Sequence, residues 1–168
     1  MPTRRVYPVL FTVVFSVFMI CGTAAAAAVT YELSPSSTFE QGCAGSCKCP
    51  VVIVGQIKGT FELTPLRPNP LFSQYRVTNI LWNVVDRRGQ VVHKITGSGI
   101  YQVSDDSTQS TPTRLHQLIL DLKIDRALMF FDSGLIPDES KFPNISITVD
   151  RGTECYDIWL DLVANPIK

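Results

Sequence analysis

Leu118-Ile119-Leu120-Asp121-Leu122-Lys123-Ile124-Asp125 is the stretch that decides the fold. Leu118, Leu120, Leu122 and Ile124 occupy every second position, with Asp121 and Lys123 between them. A period of two sets one row of side chains on a core and the other toward water, as in an antiparallel strand. The same pattern recurs on both sides. In Ile57-Lys58-Gly59-Thr60-Phe61-Glu62-Leu63-Thr64 the apolar side chains sit on odd positions. Ile145, Ile147 and Val149 alternate with Ser146, Thr148 and Asp150; Tyr156, Ile158, Leu160 and Leu162 alternate with Asp157, Trp159 and Asp161. Tyr75 to Val85 is apolar on both faces and reads as a central strand, with Trp82 assigned to the core beside Ile80 and Val84.

Turn chemistry separates these runs. Asp86-Arg87-Arg88-Gly89 reads as a hairpin with glycine where φ must be positive. Asp150-Arg151-Gly152-Thr153 and Asp132-Ser133-Gly134 read the same way. Pro65, Pro68 and Pro70 exclude a central strand between them. Ser104 to Thr113 is almost wholly polar and reads as a mobile loop. No amphipathic helix of three turns follows residue 28. About eight short strands with hairpin turns predict an all-β domain, an antiparallel β-sandwich or a small barrel.

The N-terminus reads as a secretory leader. Arg4 and Arg5 precede an apolar run from Val9 to Cys21 and a row of small residues, Ala24 to Ala28. Cleavage is expected between Ala26 and Ala28, giving a leader over 1–26 and one domain over 27–168. Arg4 and Arg5 depart with it, taking the cations from fifteen to thirteen against fifteen acids, a net charge of −2. A lipidated Cys21 is disfavoured because Ile20, not a small residue, precedes it. An uncleaved anchor over 9–29 is disfavoured because its alanine end is weakly hydrophobic. The expectation is a secreted or periplasmic protein with no stable membrane anchor. The 168-residue chain is 45% hydrophobic and 18% charged with equal numbers of acids and bases, so it is neither disordered nor a nucleic-acid binder.

Cys43, Cys47, Cys49 and Cys155 remain after cleavage, an even count that reads as two disulfides in an exported chain. A Cys47–Cys49 bond would close a very tight ring with strained geometry and is disfavoured. Cys43–Cys47 with Cys49–Cys155 is the preferred pairing, and Cys43–Cys49 with Cys47–Cys155 the alternative. Either closes a loop of more than a hundred residues, worth about 4–5 kcal/mol. A zinc or copper site on the same four cysteines is the rival reading, disfavoured because the paired Cys-x2-Cys spacing of structural zinc is missing.

Chemical motifs are sparse. There is no phosphate loop, zinc-protease helix or nucleophile elbow, and nothing calls for a cofactor. Gly97-Ser98-Gly99 reads as a bend within a strand. His93 and His116 are read as surface strand positions. Asp121, Asp157 and Asp161 are the candidate ligand-binding carboxylates, either as a glycosidase pair across strands or, with Asp105 and Asp106, as calcium ligands. Acids four apart on one strand are about 13 Å apart, too far for one catalytic pair. Trp159, between Asp157 and Asp161, is the candidate stacking platform for a sugar or peptide ring. Asn144-Ile145-Ser146 matches the glycosylation acceptor pattern.

Cys47-Lys48-Cys49-Pro50-Val51, Lys58-Gly59-Thr60-Phe61, Ile95-Thr96-Gly97-Ser98-Gly99 and Phe131-Asp132-Ser133-Gly134-Leu135, in that order, resemble a group of small exported bacterial proteins. The resemblance spans most of the mature chain and implies an exported, disulfide-bonded all-β domain, without an activity or cofactor. The functional expectation is a non-catalytic β-domain that binds a protein or carbohydrate partner or joins a surface assembly. A small carbohydrate hydrolase and a calcium- or copper-binding protein are the alternatives.

Overall fold

The computed structural model describes residues 27–43, 47, 53–66, 69–104, 114–153 and 155–167. The leader expected over 1–26, with Cys21, and Cys49, Pro68 and residues 105–113, with Asp105 and Asp106, lie outside the described residues. Within them there are ten strands and no helix: β1 (Val29–Leu33), β2 (Thr38–Cys43), β3 (Ile53–Pro65), β4 (Phe72–Val85), β5 (Val91–Ser104), β6 (Leu115–Ile124), β7 (Ala127–Asp132), β8 (Ile136–Pro137), β9 (Ile145–Val149) and β10 (Tyr156–Pro166). The all-β expectation holds, and every ladder is antiparallel.

Ten strands occupy eight places, which reconciles the count with the sequence periodicity. β1 and β2 lie end to end between β3 and β10. They are offset by Ser34 to Ser37, whose backbone bonds to Val163 and Ile57. β7 and β8 lie end to end along β6. The order is then β9, β10, β1/β2, β3, β4, β5, β6, β7/β8. Its two ends meet at one bridge, where Asp132 N–H donates to Asp150 C=O at 3.1 Å. A sheet whose edges meet is rolled, so the packing is barrel-like.

The alternating residues fill the inside. Ile57, Phe61 and Leu63 on β3, Leu118, Leu120 and Leu122 on β6, and Ile145, Ile147 and Val149 on β9 are all buried. The two-sided apolarity of β4 has a simple cause. A bulge at Thr78–Asn79, with Asn79 at φ 52°, switches the inward residues from odd Val77 to even Ile80, Trp82 and Val84. β4 is central as expected, but it has one core face. The Gly97-Ser98-Gly99 bend is part of continuous β5. A Cβ on Gly97 would lie 2.2 Å from the Asp121 carbonyl oxygen, and one on Gly99 would lie 2.1 Å from that of Ile119. Glycine here lets β5 and β6 approach closely as the sheet coils. An interior cavity lined by Phe61, Val77, Trp82, Tyr101 and Leu162 among others is about 10 Å³. That is at most the space of one water, so these side chains close on one another.

The preferred cysteine pairing is overturned. Cys47 bonds Cys155 across a Cα–Cα distance of 5.4 Å, and Cys43 is itself disulfide-bonded. The register explains the choice: Tyr156 sits opposite Cys43, so Cys155 lies one step beyond the end of β2, where the chain carrying Cys47 passes. Cysteines held in disulfides have no thiolate to offer zinc or copper.

Candidate functional site

The residues singled out on β10 have structural partners. Asp157, expected to face solvent, is buried, with 3% of its surface exposed. Its carboxylate accepts from the backbone N–H of Arg151, Thr153 and Ile158 at 3.2, 3.1 and 2.7 Å, organising the turn that leads into Cys155. Asp161 is half-buried and accepts from the hydroxyls of Thr148 (2.6 Å) and Thr38 (3.2 Å) on the strands either side. Trp159 is half-buried, opposite Glu40 on β2. Asp121 is exposed on β6, between Ser98 and Phe130. β6 and β10 are not neighbours in the sheet, so Asp121 is not brought together with Asp157 or Asp161. Among the described residues no group of three His, Cys, Asp or Glu side chains converges on a metal position.

The two histidines differ: His93 lies at the surface as expected, and His116 does not. His93 on β5 is partly exposed; its Nδ1 lies 2.8 Å from Asp125 Oδ2, and Lys94 N–H donates to Asp125 Oδ1 at 3.0 Å. These bonds hold the Asp125 carboxyl below its ordinary pKa and pin the Asp125-Arg126 turn joining β6 and β7. His116 on β6 is fully buried. Its Nδ1 shares a 3.2 Å hydrogen bond with the Tyr101 hydroxyl and lies 3.8 Å from Asp138 Oδ1, while its Nε2 has no partner. Burial depresses the pKa of His116 and outweighs the pull of Asp138; burial likewise raises that of Tyr101. Asp138 is held by Ser140 Oγ and by the N–H groups of Ser140, Lys141 and Phe142. The trio resembles a catalytic relay in composition, but its imidazole is sealed from solvent and ties the loop after β8 to the core.

What the sequence reading missed lies on β7. The run Ala127-Leu128-Met129-Phe130-Phe131 is apolar at every step, so no alternation distinguishes its faces. The fold buries Phe131 completely and packs Met129 against the core, leaving Leu128 82% and Phe130 55% exposed on the outer face. Together with Asp121 they border a shallow outer depression. The backbone beside them is also open. Ser133 N–H donates to Leu118 C=O on β6, and Asp132 N–H donates away from β6 to Asp150. By strand alternation the N–H and C=O of Phe130 and Leu128 point the same way as those of Asp132. Among the described residues β7 pairs with β6 alone, apart from that one bridge. The one signal of this in the sequence was negative: β7 carries no Lys, Pro or glycine to protect an edge.

No protein-family model, no curated protein and no solved structure matches this chain.

Proposed function

We propose that the chain is an exported, non-catalytic β-domain that works by binding, and that its docking surface is the outer face and open edge of β7. One observation carries this reading: two large apolar side chains, Leu128 and Phe130, stand exposed beside backbone groups that have no partner strand among the described residues. An edge of this kind recognises an extended peptide segment, whose main chain extends the sheet while alternate side chains meet the apolar residues. The occupant is therefore a protein segment rather than a sugar. Stacking on a sugar needs an open aromatic plate, and Trp159 is half-buried. The separation of Asp121 from Asp157 and Asp161 speaks against a hydrolytic pair. Export is supported by the bonded cysteines, which persist in an oxidising compartment.

Panning a displayed library of random peptides on the protein tests the proposal. The expected result is enrichment of peptides with alternating apolar residues, whose binding shifts the amide resonances of residues 127–131 and is lost in Phe130→Lys. Enriched peptides that bind wild type and Phe130→Lys alike would refute it, as would no enrichment at a protein concentration where the chain is monomeric.

A further inference from the structure

We infer that the segment occupying the β7 edge is β7 of a second copy of this chain, the two strands running antiparallel about a two-fold axis through Met129. This rests on the reading of β7 as a docking edge and names its partner. The register follows from the backbone. Only even-numbered residues of β7 direct their N–H and C=O outward, so even must oppose even. Centring on Met129 sets Leu128 of each copy against Phe130 of the other, in two fully exchanged hydrogen-bonded pairs. On the outer face the same register places two exposed apolar side chains across from each other twice over, a favourable cross-strand pairing. Nothing in Ala127–Phe131 carries a charge that would repel an identical strand.

The ends of the strand are complementary in charge. At the far end Asp132 and Asp150 oppose each other across the closing bridge, and like charges in that position destabilise one another. Each engages its Oδ1 within the chain, Asp132 with Gln117 and Gly134, Asp150 with Gly152. Neither has a cationic partner among the described residues. At the near end stands Arg126, exposed on a turn that His93 and Lys94 hold through Asp125. Antiparallel pairing carries Arg126 of each copy to the acidic end of the other. An isologous contact supplies this complementarity twice, which a foreign peptide supplies only by chance.

Sedimentation equilibrium and amide hydrogen exchange of the purified protein, from micromolar to millimolar concentration, provide the test. A monomer–dimer equilibrium is expected, with the amides of Leu128 and Phe130 slowing as dimer forms. Phe130→Lys, on an exposed position, should remain folded by circular dichroism and be monomeric throughout. Arg126→Glu should weaken association by roughly tenfold, as expected for two lost surface ion pairs. A monomer at millimolar concentration would overturn the inference, as would a dimer indifferent to Phe130→Lys or without new protection at Leu128 and Phe130. If the protein is monomeric yet peptides still bind the β7 edge, self-association fails and the docking edge stands; if peptides also fail to bind, both readings fall.

Discussion

Replacing both Cys47 and Cys155 by alanine removes the link between the end of β2 and the start of β10. The bonded residues are 108 apart, and the loop they close contains β3 through β9. In the chain-entropy relation a loop of that length restricts the unfolded chain by about 4.8 kcal/mol at room temperature. A domain of this kind is stable by about 5–15 kcal/mol, so the loss is between a third and nearly all of it. The measurement is urea unfolding followed by tryptophan fluorescence, since Trp82 is buried and reports the core. With a slope of about 2 kcal/mol per molar urea the midpoint should fall by about 2 M, and the slope should steepen because the unfolded chain is freer to expand. Mass spectrometry confirms that Cys43 remains oxidised in the variant. A midpoint that moves by less than about 0.5 M with an unchanged slope would refute the reasoning. It would mean that the strand pairing Tyr156–Cys43 to Asp161–Thr38 already confines the two ends in the unfolded ensemble.

Three further outcomes follow from the same structure. His116 binds its proton more weakly folded than unfolded, so between its depressed folded pKa and about 6.5 the unfolded chain holds more protons. Stability present above that window is lost as pH falls through it; melting scans across the range should show the decline, and His116→Leu should flatten it. Burial pushes the Asp138 carboxyl up, but its hydrogen bonds to Ser140 and the loop amides outweigh it and hold the group below its ordinary value, so the stability it contributes is present above its ordinary pKa and is lost only in stronger acid. Gly97→Ala drives a methyl group into the Asp121 carbonyl and should cost about 1–3 kcal/mol in urea unfolding, whereas Ser98→Ala, on the outer face between the two glycines, should stay within about 0.5 kcal/mol. Asp157→Ala strips three backbone amides of their acceptor and should cost about 1–3 kcal/mol, with faster exchange at Arg151 and Thr153; an effect on ligand binding with no loss of stability would restore Asp157 as a surface residue.

The strands were legible wherever apolar and polar residues alternate, because that alternation is the pleat itself. Leu118 to Ile124, Ile57 to Leu63 and Ile145 to Val149 all turn the predicted side inward. Gly89 and Gly134 sit at positive φ as the turn chemistry requires. The reading failed where a residue's setting depends on how a loop, turn or bulge folds rather than on the alternation itself. Asp157 continues an outward row by parity, yet the turn over 151–153 folds back and buries it. His116 lies on the inward row of β6, and the loop carrying Asp138 and Phe142 closes over it. β4 looked two-sided because a bulge changes the facing parity without changing the composition.

The amino-acid order alone determined that the chain is all-β, roughly how many strands it has, and which turns join them, since each of these depends on residues within a few positions of one another. Tertiary structure decided the rest. The register between β2 and β10 brings Cys47 rather than Cys49 to Cys155, although the two differ by only two positions. The rolling of the sheet joins its edges at Asp132 and Asp150 and, among the described residues, leaves β7 open below that bridge. Within an unbroken apolar run, the register with β6 decides which row turns inward: Phe131 lies opposite buried Leu120 and shares its face, Phe130 lies opposite exposed Asp121, and the pleat sends the two rows to opposite sides of the sheet.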